Sequence, residues 1–301
     1  MIEARGISKF FSVLNEKGLA EGLTAVLNVS LSVRDGAVVS LLGPSGCGKS
    51  TFLEILAGLQ APTDGEVRID GKLVLEPLPS TRKEMEDYKR RYRFISPLAN
   101  GVFTNRPRHD IAMIFQDYAI FPWMTAMQNI VFALKLRASG HGRSGRAEMA
   151  EKARFYLNKV GLAEAENKYP SQLSGGMRQR LALARALSVE PKIILMDEPF
   201  AAVDALQREK LQDGLLRLLD DARAGAAPIS VVMVSHDVQE AVYLSDEVLV
   251  FSPGPGGTVR NRIPVALPRP RARTDPALVE IQERVFAILQ YDLNQESMYS
   301  I

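Results

Sequence analysis

Gly43-Pro-Ser-Gly-Cys-Gly-Lys-Ser50 constrains this chain more than any other stretch, because the pattern G-x-x-x-x-G-K-[ST] has a mechanism only between a strand and a helix. Both flanks fit. Residues 37–42 (AVVSLL) form an apolar run suited to a strand buried on both faces, and residues 51–59 carry a helical pattern. Gly43, Gly46 and Gly48 let the backbone wrap closely around phosphate oxygens, so that successive N–H groups point inward. Pro44, Ser45 and Cys47 fill the loop, and Cys47 reads as a small residue fitted into a tight turn, not as a redox thiol. The helix that Lys49, Ser50 and Thr51 open brings its positive end to the same anion. Lys49 adds a point charge for the β- and γ-phosphates, and the Ser50 hydroxyl is placed to ligate Mg²⁺.

The pattern around the loop is α/β. Leu27, Val29, Leu31 and Val33 alternate with polar residues, which predicts a strand with those four on its buried face. Asp35-Gly36 is a turn signal, and residues 193–196 and 231–234 are apolar runs like 37–42. Residues 117–189 are helical in period, with an exposed Gly/Ser/Arg-rich loop at 138–146. Residues 264–276, rich in proline and arginine, read as an extended connector. Beyond it Leu278, Ile281, Val285, Ile288 and Leu289 share one face of a helix expected to dock on its own domain. No internal repeat suggests a solenoid.

Composition excludes several classes. With 37 Lys and Arg against 35 Asp and Glu among 301 residues, the net charge of +2 gives nucleic acid no electrostatic footprint, so none is expected as partner. The single cysteine suits a reducing compartment. Glu3, Arg5 and Lys9 interrupt any secretory leader. The uncharged run 118–134 contains Pro122, Gln128 and Asn129 and falls short of the roughly 20 apolar residues a bilayer requires. The chain is therefore expected not to cross a membrane by itself.

A second chemical element lies at the end of the 193–196 run. Asp197 and Glu198 stand where ligands bind in open α/β sheets, at the carboxyl end of a buried strand. Asp197 can hold Mg²⁺ directly or through water, and Glu198 can polarise an attacking water. Alone, two acids after an apolar run describe a solvated strand end equally well; beside a phosphate loop they describe a nucleotide hydrolase.

Leu173-Ser-Gly-Gly-Met-Arg-Gln-Arg180 resembles the signature sequence of ATP-binding cassette proteins. Phe115-Gln116-Asp117 resembles their glutamine loop, and Val234-Ser-His236-Asp237 their switch histidine, in that family's order and over residues 2–270. Ser174, Gly175 and Gly176 also open a predicted helix, a second anion-receptive end far in sequence from the first. The resemblance implies a P-loop NTPase (RecA-like) core with an antiparallel β subdomain and an inserted helical subdomain. It implies ATP and Mg²⁺ as ligands, and a head-to-tail dimer in which one subunit's signature completes the phosphate site of its partner. It also implies Gln116 as a Mg²⁺ and water contact, His236 as a γ-phosphate contact, Asp204 as a residue signalling across the dimer, and Phe11 as an aromatic stacking on adenine. Phe11 also reads as a core aromatic.

Within the family, Phe121-Pro-Trp123-Met-Thr125, Met177 and residues 265–274 resemble the ATPase subunits of nitrate, sulfonate, taurine and bicarbonate importers. That implies a separate transmembrane permease, an extracytoplasmic solute-binding protein acting indirectly, and a place on the inner face of the cell membrane. The implied organisation is a nucleotide-binding domain over 1–262, with core and β subdomain at 1–116 and 190–262 and a helical subdomain at 117–189; a C-terminal extension with a docking helix occupies 263–301. Residues 76–108 depart from the group. There Arg82, Lys83, Lys89, Arg90, Arg91 and Arg93 face Glu84, Glu86 and Asp87, which describes either a solvated helical insertion or a contact with permease, anionic lipid or another subunit. The rival class is a cassette ATPase acting on DNA or ribosomes, whose usual long coiled coil or second cassette is not found in this sequence.

Overall fold

In the computed structural model, residues 1–14, 20–75, 110–138, 145–201, 203–225 and 228–299 are described, and they divide into two compact units. One takes the described residues of 1–108 and 232–301, the other those of 109–231. The 76–108 segment, and residues 139–144 of the Gly/Ser/Arg-rich loop, lie outside the described residues.

The first unit begins with β1 (Ile2–Leu14), β2 (Ala20–Val33), β3 (Val38–Leu42), α1 (Lys49–Leu56), β4 (Asp64–Ile69) and β5 (Lys72–Leu75). Four of these strands make an antiparallel sheet in the order β2-β1-β4-β5. Asp70 and Gly71, both at positive φ, form the two-residue turn that joins β4 to β5. The face predicted for β2 holds from Val29 onward, since Val29, Leu31 and Val33 are buried. It fails at Leu27, which is 46% exposed while Val26 is fully buried. Asn28 sits at φ 50° between Leu27 and Val29, and the pairing slips between Ile7/Val29 and Lys9/Val26. That bulge reverses which side of the sheet the preceding residues face.

β3 is buried along its whole length, as its apolar run requires. It pairs in parallel with β9 (Glu247–Phe251), which pairs antiparallel with β10 (Val259–Pro264). α1 stops short of the predicted 51–59 span. Gly58 N–H donates to Ile55 O and Leu59 N–H to Glu54 O, each at 2.9 Å, closing the helix with the pair of bonds that an αL residue after the cap allows. α6 (Val238–Leu244) packs on β3 and β9, and α7 (Pro276–Tyr299) packs on α6, burying Leu278 and Val285.

The second unit contains β6 (Ile111–Ile114), α2 (Ala126–Ala138), α3 (Arg146–Lys159), α4 (Gly175–Ser188), β7 (Ile193–Asp197) and α5 (Ala205–Ala224). β6 and β7 pair in parallel. Ala126, Ile130 and Leu134 of α2 meet Ala153 and Leu157 of α3 and Leu181 of α4 in one apolar core, the helical period of 117–189 made visible. α5 lies against α4. β8 (Ser230–Ser235) has residues in each unit.

Candidate nucleotide site

The residues that the sequence singles out are divided between the two units. Phe11, the phosphate loop and His236 belong to the first, and Gln116, the signature, the acidic pair and Asp204 to the second.

In the first unit, β3 delivers the loop and α1 leaves it, with Gly48 as the residue before the first helical turn. Gly48 lies at φ 93° and faces β2 so closely that a Cβ there would stand 2.1 Å from the Ala25 carbonyl oxygen. Only glycine fits that position. β2 is in turn held by Gly257, which itself lies against the Cys47 carbonyl: Val26 bridges Gly257 and Leu27 N–H donates to Gly257 O at 3.1 Å. The Lys49 ammonium is buried inside the loop and donates to Gly43 O at 2.8 Å and to Pro44 O at 2.6 Å. Those carbonyls keep the charge solvated while holding it within the curl of backbone that the glycines create. No acidic residue occupies the first turn of α1, so its positive end is unopposed. Cys47 is buried. Ser50 is exposed on the first turn of α1.

Phe11 is partly exposed, and the Lys9 ammonium lies 5.1 Å from its ring centroid while donating to Ala61 O at 2.6 Å. Burial pushes the Lys9 pKa down. His236 is exposed at the end of β8 and lines a cleft of about 520 Å³ with Asp237, Val279 and Phe286. Phe286, on α7, is 55% exposed.

In the second unit the structure joins residues far apart in sequence. Gln116 Nε2 donates to Glu198 Oε2 at 3.3 Å across 82 positions. Glu198 has φ 44°, uncommon for a residue with a side chain. Asp197, at the end of β7, is half-buried. Ser174 caps α4, its hydroxyl accepting from Met177 N–H at 3.3 Å, and no acidic residue follows in the first turn. Asp204 caps α5 in the same way, accepting from Gln207 N–H at 3.0 Å. The two caps are neighbours, since a Cβ on Gly176 would meet Gln207 Oε1 at 2.7 Å.

Among the described residues no three or more His, Cys, Asp or Glu side chains gather to hold a metal. A Mg²⁺ site of one carboxylate, a hydroxyl and an amide, completed by substrate phosphates, has that composition.

Two residues outside the motifs support the loop after Gln116. Asn129 is fully buried on α2; it accepts from Phe121 N–H at 3.0 Å and donates to Phe121 O, Met124 O and Thr125 O at 3.2, 3.1 and 3.0 Å. Arg185 on α4 donates to Ala119 O at 2.7 Å and Tyr118 O at 3.0 Å, with its guanidinium 5.6 Å from the Phe121 ring. Burial lowers its pKa. Together they fix residues 117–125, the loop that follows Gln116, and leave Trp123 68% exposed at its tip. Polar residues inside a helical apolar pattern were the available signal.

The chain resembles known proteins over most of its length. The ABC transporter family model matches residues 26–201. The bicarbonate transport ATP-binding protein CmpC of Synechocystis sp. is 36% identical over 276 residues, which cover 90% of this chain and 35% of that protein. The chain thus spans about a third of that relative's length. The nitrate import ATP-binding protein NrtD of Synechococcus elongatus is 35% identical over 269 residues, 88% of this chain and 84% of that one. A solved dimeric, post-hydrolysis state of the ATP-binding cassette MJ0796, bound to ADP and Pi, superposes with a TM-score of 0.66 at 29% identity, covering 89% of this chain and all of the other.

Proposed function

The chain belongs to the ABC transporter family and has its α/β phosphate-loop fold, and from that premise we propose that it is the ATP-hydrolysing subunit of an importer whose membrane-spanning part is another polypeptide. The solute is a small anion of the nitrate, sulfonate, taurine or bicarbonate kind. Among the described residues no helix is long and apolar enough to cross a membrane. The subunit docks on the inner face of the membrane through its permease. A solute-binding protein feeds that permease from the other side.

The observation that carries the reading is the Gln116–Glu198 hydrogen bond. It pairs a carboxylate at a strand end with an amide that senses what the carboxylate holds. ATP lies with its phosphates in the Gly43–Ser50 loop, where Lys49 turns from the Gly43 and Pro44 carbonyls to the β- and γ-oxygens, and its adenine stacks on Phe11. Glu198 takes the proton of the attacking water, Gln116 orients that water, and His236 donates to the γ-phosphate as charge develops on it. Ser50, Gln116 and Asp197 would hold Mg²⁺, which when bound neutralises phosphate charge. The second subunit presents Ser174, Gly175 and Gly176 to the same phosphates, and Asp204 carries the state of one site to the other.

Closure of the two subunits on ATP drives the permease outward-facing, and hydrolysis reopens it. The coupling is thermodynamic, because ATP shifts the equilibrium only by binding the closed dimer more tightly than the open one. The 117–125 loop, pinned by Asn129 and Arg185 and tipped by Trp123, receives the permease, with residues 117–189 acting as the helical subdomain. The test is purification from membranes. A copurifying permease whose solute stimulates ATP hydrolysis is expected; no permease, with hydrolysis answering to nucleic acid, overturns the reading.

A further inference from the structure

His236 stands immediately before α6, a helix of seven residues. A helix that short does not hold itself together, so its position depends on its packing against β3, β9 and α7 and on what its ends are tied to. At the N-terminal end the ties are local. The Asp237 carboxylate accepts from Gln239 N–H at 2.8 Å and Glu240 N–H at 3.1 Å. The Ser235 hydroxyl donates to the buried Glu240 carboxylate at 2.7 Å and accepts from Asp237 N–H at 3.0 Å, so His236 is bracketed on both sides.

At the C-terminal end the ties come from the segment after β10. Helix ends leave carbonyls without intrahelical partners. Arg271 Nη1 donates to Val242 O, Tyr243 O and Ser245 O at 3.1, 2.9 and 2.7 Å, and its Nη2 donates to Val265 O and Leu267 O, both at 3.1 Å. Arg269 takes the next carbonyl, Leu244 O, at 2.6 Å. The Arg273 guanidinium lies 3.8 Å from the Tyr243 ring centroid. The side chain of Arg271 is only 1% exposed, a placement no arginine reaches unless its donors are met. Asp246 completes the knot: it stands 3.1 Å from Arg269, and it accepts at 2.8 Å from Val38 N–H, where β3 begins.

We propose that Arg271 is a positioning residue for His236: by gathering the open carbonyls of α6 it holds the short helix, and with it the histidine, where the γ-phosphate arrives. The inference rests on the reading of His236 given above. It makes the C-terminal extension part of the hydrolytic device, although Arg271 touches no nucleotide.

The test compares full-length His236→Ala, Arg271→Ala and the double variant in steady-state and single-turnover ATP hydrolysis, each corrected for folded fraction. Arg271→Ala is expected to lower kcat about tenfold, the scale of a catalytic group displaced by less than about 1 Å, with KM for ATP changed less than about twofold. In the His236→Ala background the same substitution is expected to cost nothing further, since the residue it positions is gone. Arg271→Ala overturns the proposal if it keeps wild-type kcat, if it acts through KM, or if it lowers His236→Ala by the same factor as wild type. Wild-type turnover in His236→Ala overturns instead the reading beneath it. Should Arg271→Ala fail to fold, Arg269→Ala, which removes the bond to Leu244 O, enters the same cycle and is judged by the same outcomes.

Discussion

Two glycines of the phosphate loop look alike in sequence and in backbone angle, yet their surroundings predict different fates for a single added methyl. Gly46 has φ 79° and Gly48 φ 93°. A Cβ on Gly46 would meet nothing within 4 Å, so Gly46→Ala costs only the left-handed strain, about 1–2 kcal/mol. A Cβ on Gly48 would stand 2.1 Å from Ala25 O and 2.9 Å from Val26 Cγ2. Ordinary contact requires the Ala25 carbonyl to retreat by about 1 Å. It sits on a strand paired with β1 and bridged to Gly257, so it has nowhere to go without breaking those bonds. Overpacking of that kind adds about 1–3 kcal/mol to the strain, for a total of about 2–5 kcal/mol. At roughly 2 °C per kcal/mol for a chain of this size, Gly46→Ala loses about 2–4 °C of melting temperature and Gly48→Ala about 4–10 °C. The larger effect is on binding, because a displacement of about 1 Å at the start of α1 moves the Lys49 ammonium and the helix end together, and Gly48→Ala loses at least about 100-fold in ATP affinity. Differential scanning calorimetry with and without ATP, and titration calorimetry, read both quantities. Equal ATP affinities for the two variants would refute the argument that contact with β2, and not backbone angle, makes Gly48 irreplaceable.

Glu198→Gln keeps the hydrogen-bonding shape but cannot take a proton, so it should bind ATP, accumulate as a dimer in size-exclusion chromatography and lose about 100-fold or more in phosphate release; near-normal release removes Glu198 from the role of base. Asn129→Ala removes the side-chain partner of four half-buried groups at Phe121, Met124 and Thr125. Phe121 O and Thr125 O keep backbone donors, but Phe121 N–H and Met124 O lose this bond, and urea unfolding should show a loss of about 2–4 kcal/mol; a loss under about 1 kcal/mol would mean the 117–125 loop is held by other contacts. Glu190 lies 2.5 Å from Lys152 and 3.3 Å from Arg137; burial pushes its pKa up, but the two cations outweigh it and leave the net shift downward from 4.5. A carboxylate with a depressed folded pKa stabilises above its unfolded value and loses that contribution as pH falls through the folded one. With its side chain 53% exposed, Glu190→Gln should therefore cost less than about 1 kcal/mol at pH 7 and nothing once pH is well below 4.5. A cost that persists in acid assigns the effect to packing.

The parts of this molecule that follow from short-range rules are legible in the chain. The buried run at 37–42, the loop after it and the helix beyond form because each step is set by neighbours in sequence. The strand face from Val29 to Val33 is read correctly for the same reason, and Leu27 is misread because one residue at positive φ, Asn28, breaks a period that a linear pattern assumes to be unbroken. The site residues were identified by order and motif, but the contacts that make them a site are long-range. Nothing in the strings around Gln116 or Glu198 specifies that the two touch, nor that Gly176 abuts the residue capped by Asp204. Beside the phosphate loop the two acids at the end of β7 already describe a nucleotide hydrolase in the sequence, and what the sequence does not show is the positive φ at Glu198.

The proline- and arginine-rich connector shows why composition misleads at a particular scale. Proline and arginine averaged over 264–276 describe an extended, charged tether, and the segment is indeed not helical. Yet burying a guanidinium costs little when each of its N–H groups meets a carbonyl that would otherwise go unpaired, and a seven-residue helix supplies such carbonyls in its last turn. The two facts need each other: α6, like any helix, leaves its last carbonyls open, and Arg271 carries a charge that is costly to bury without such acceptors. A signal was present in the spacing. Arg269, Arg271 and Arg273 recur at every second position. The chain bends at 269–270 and turns at 273–274, and all three reach α6, Arg269 and Arg271 through its last carbonyls and Arg273 through the Tyr243 ring. Regular recurrence of a charged residue after a short helix is therefore grounds to expect a clasp where the average composition suggests a tether.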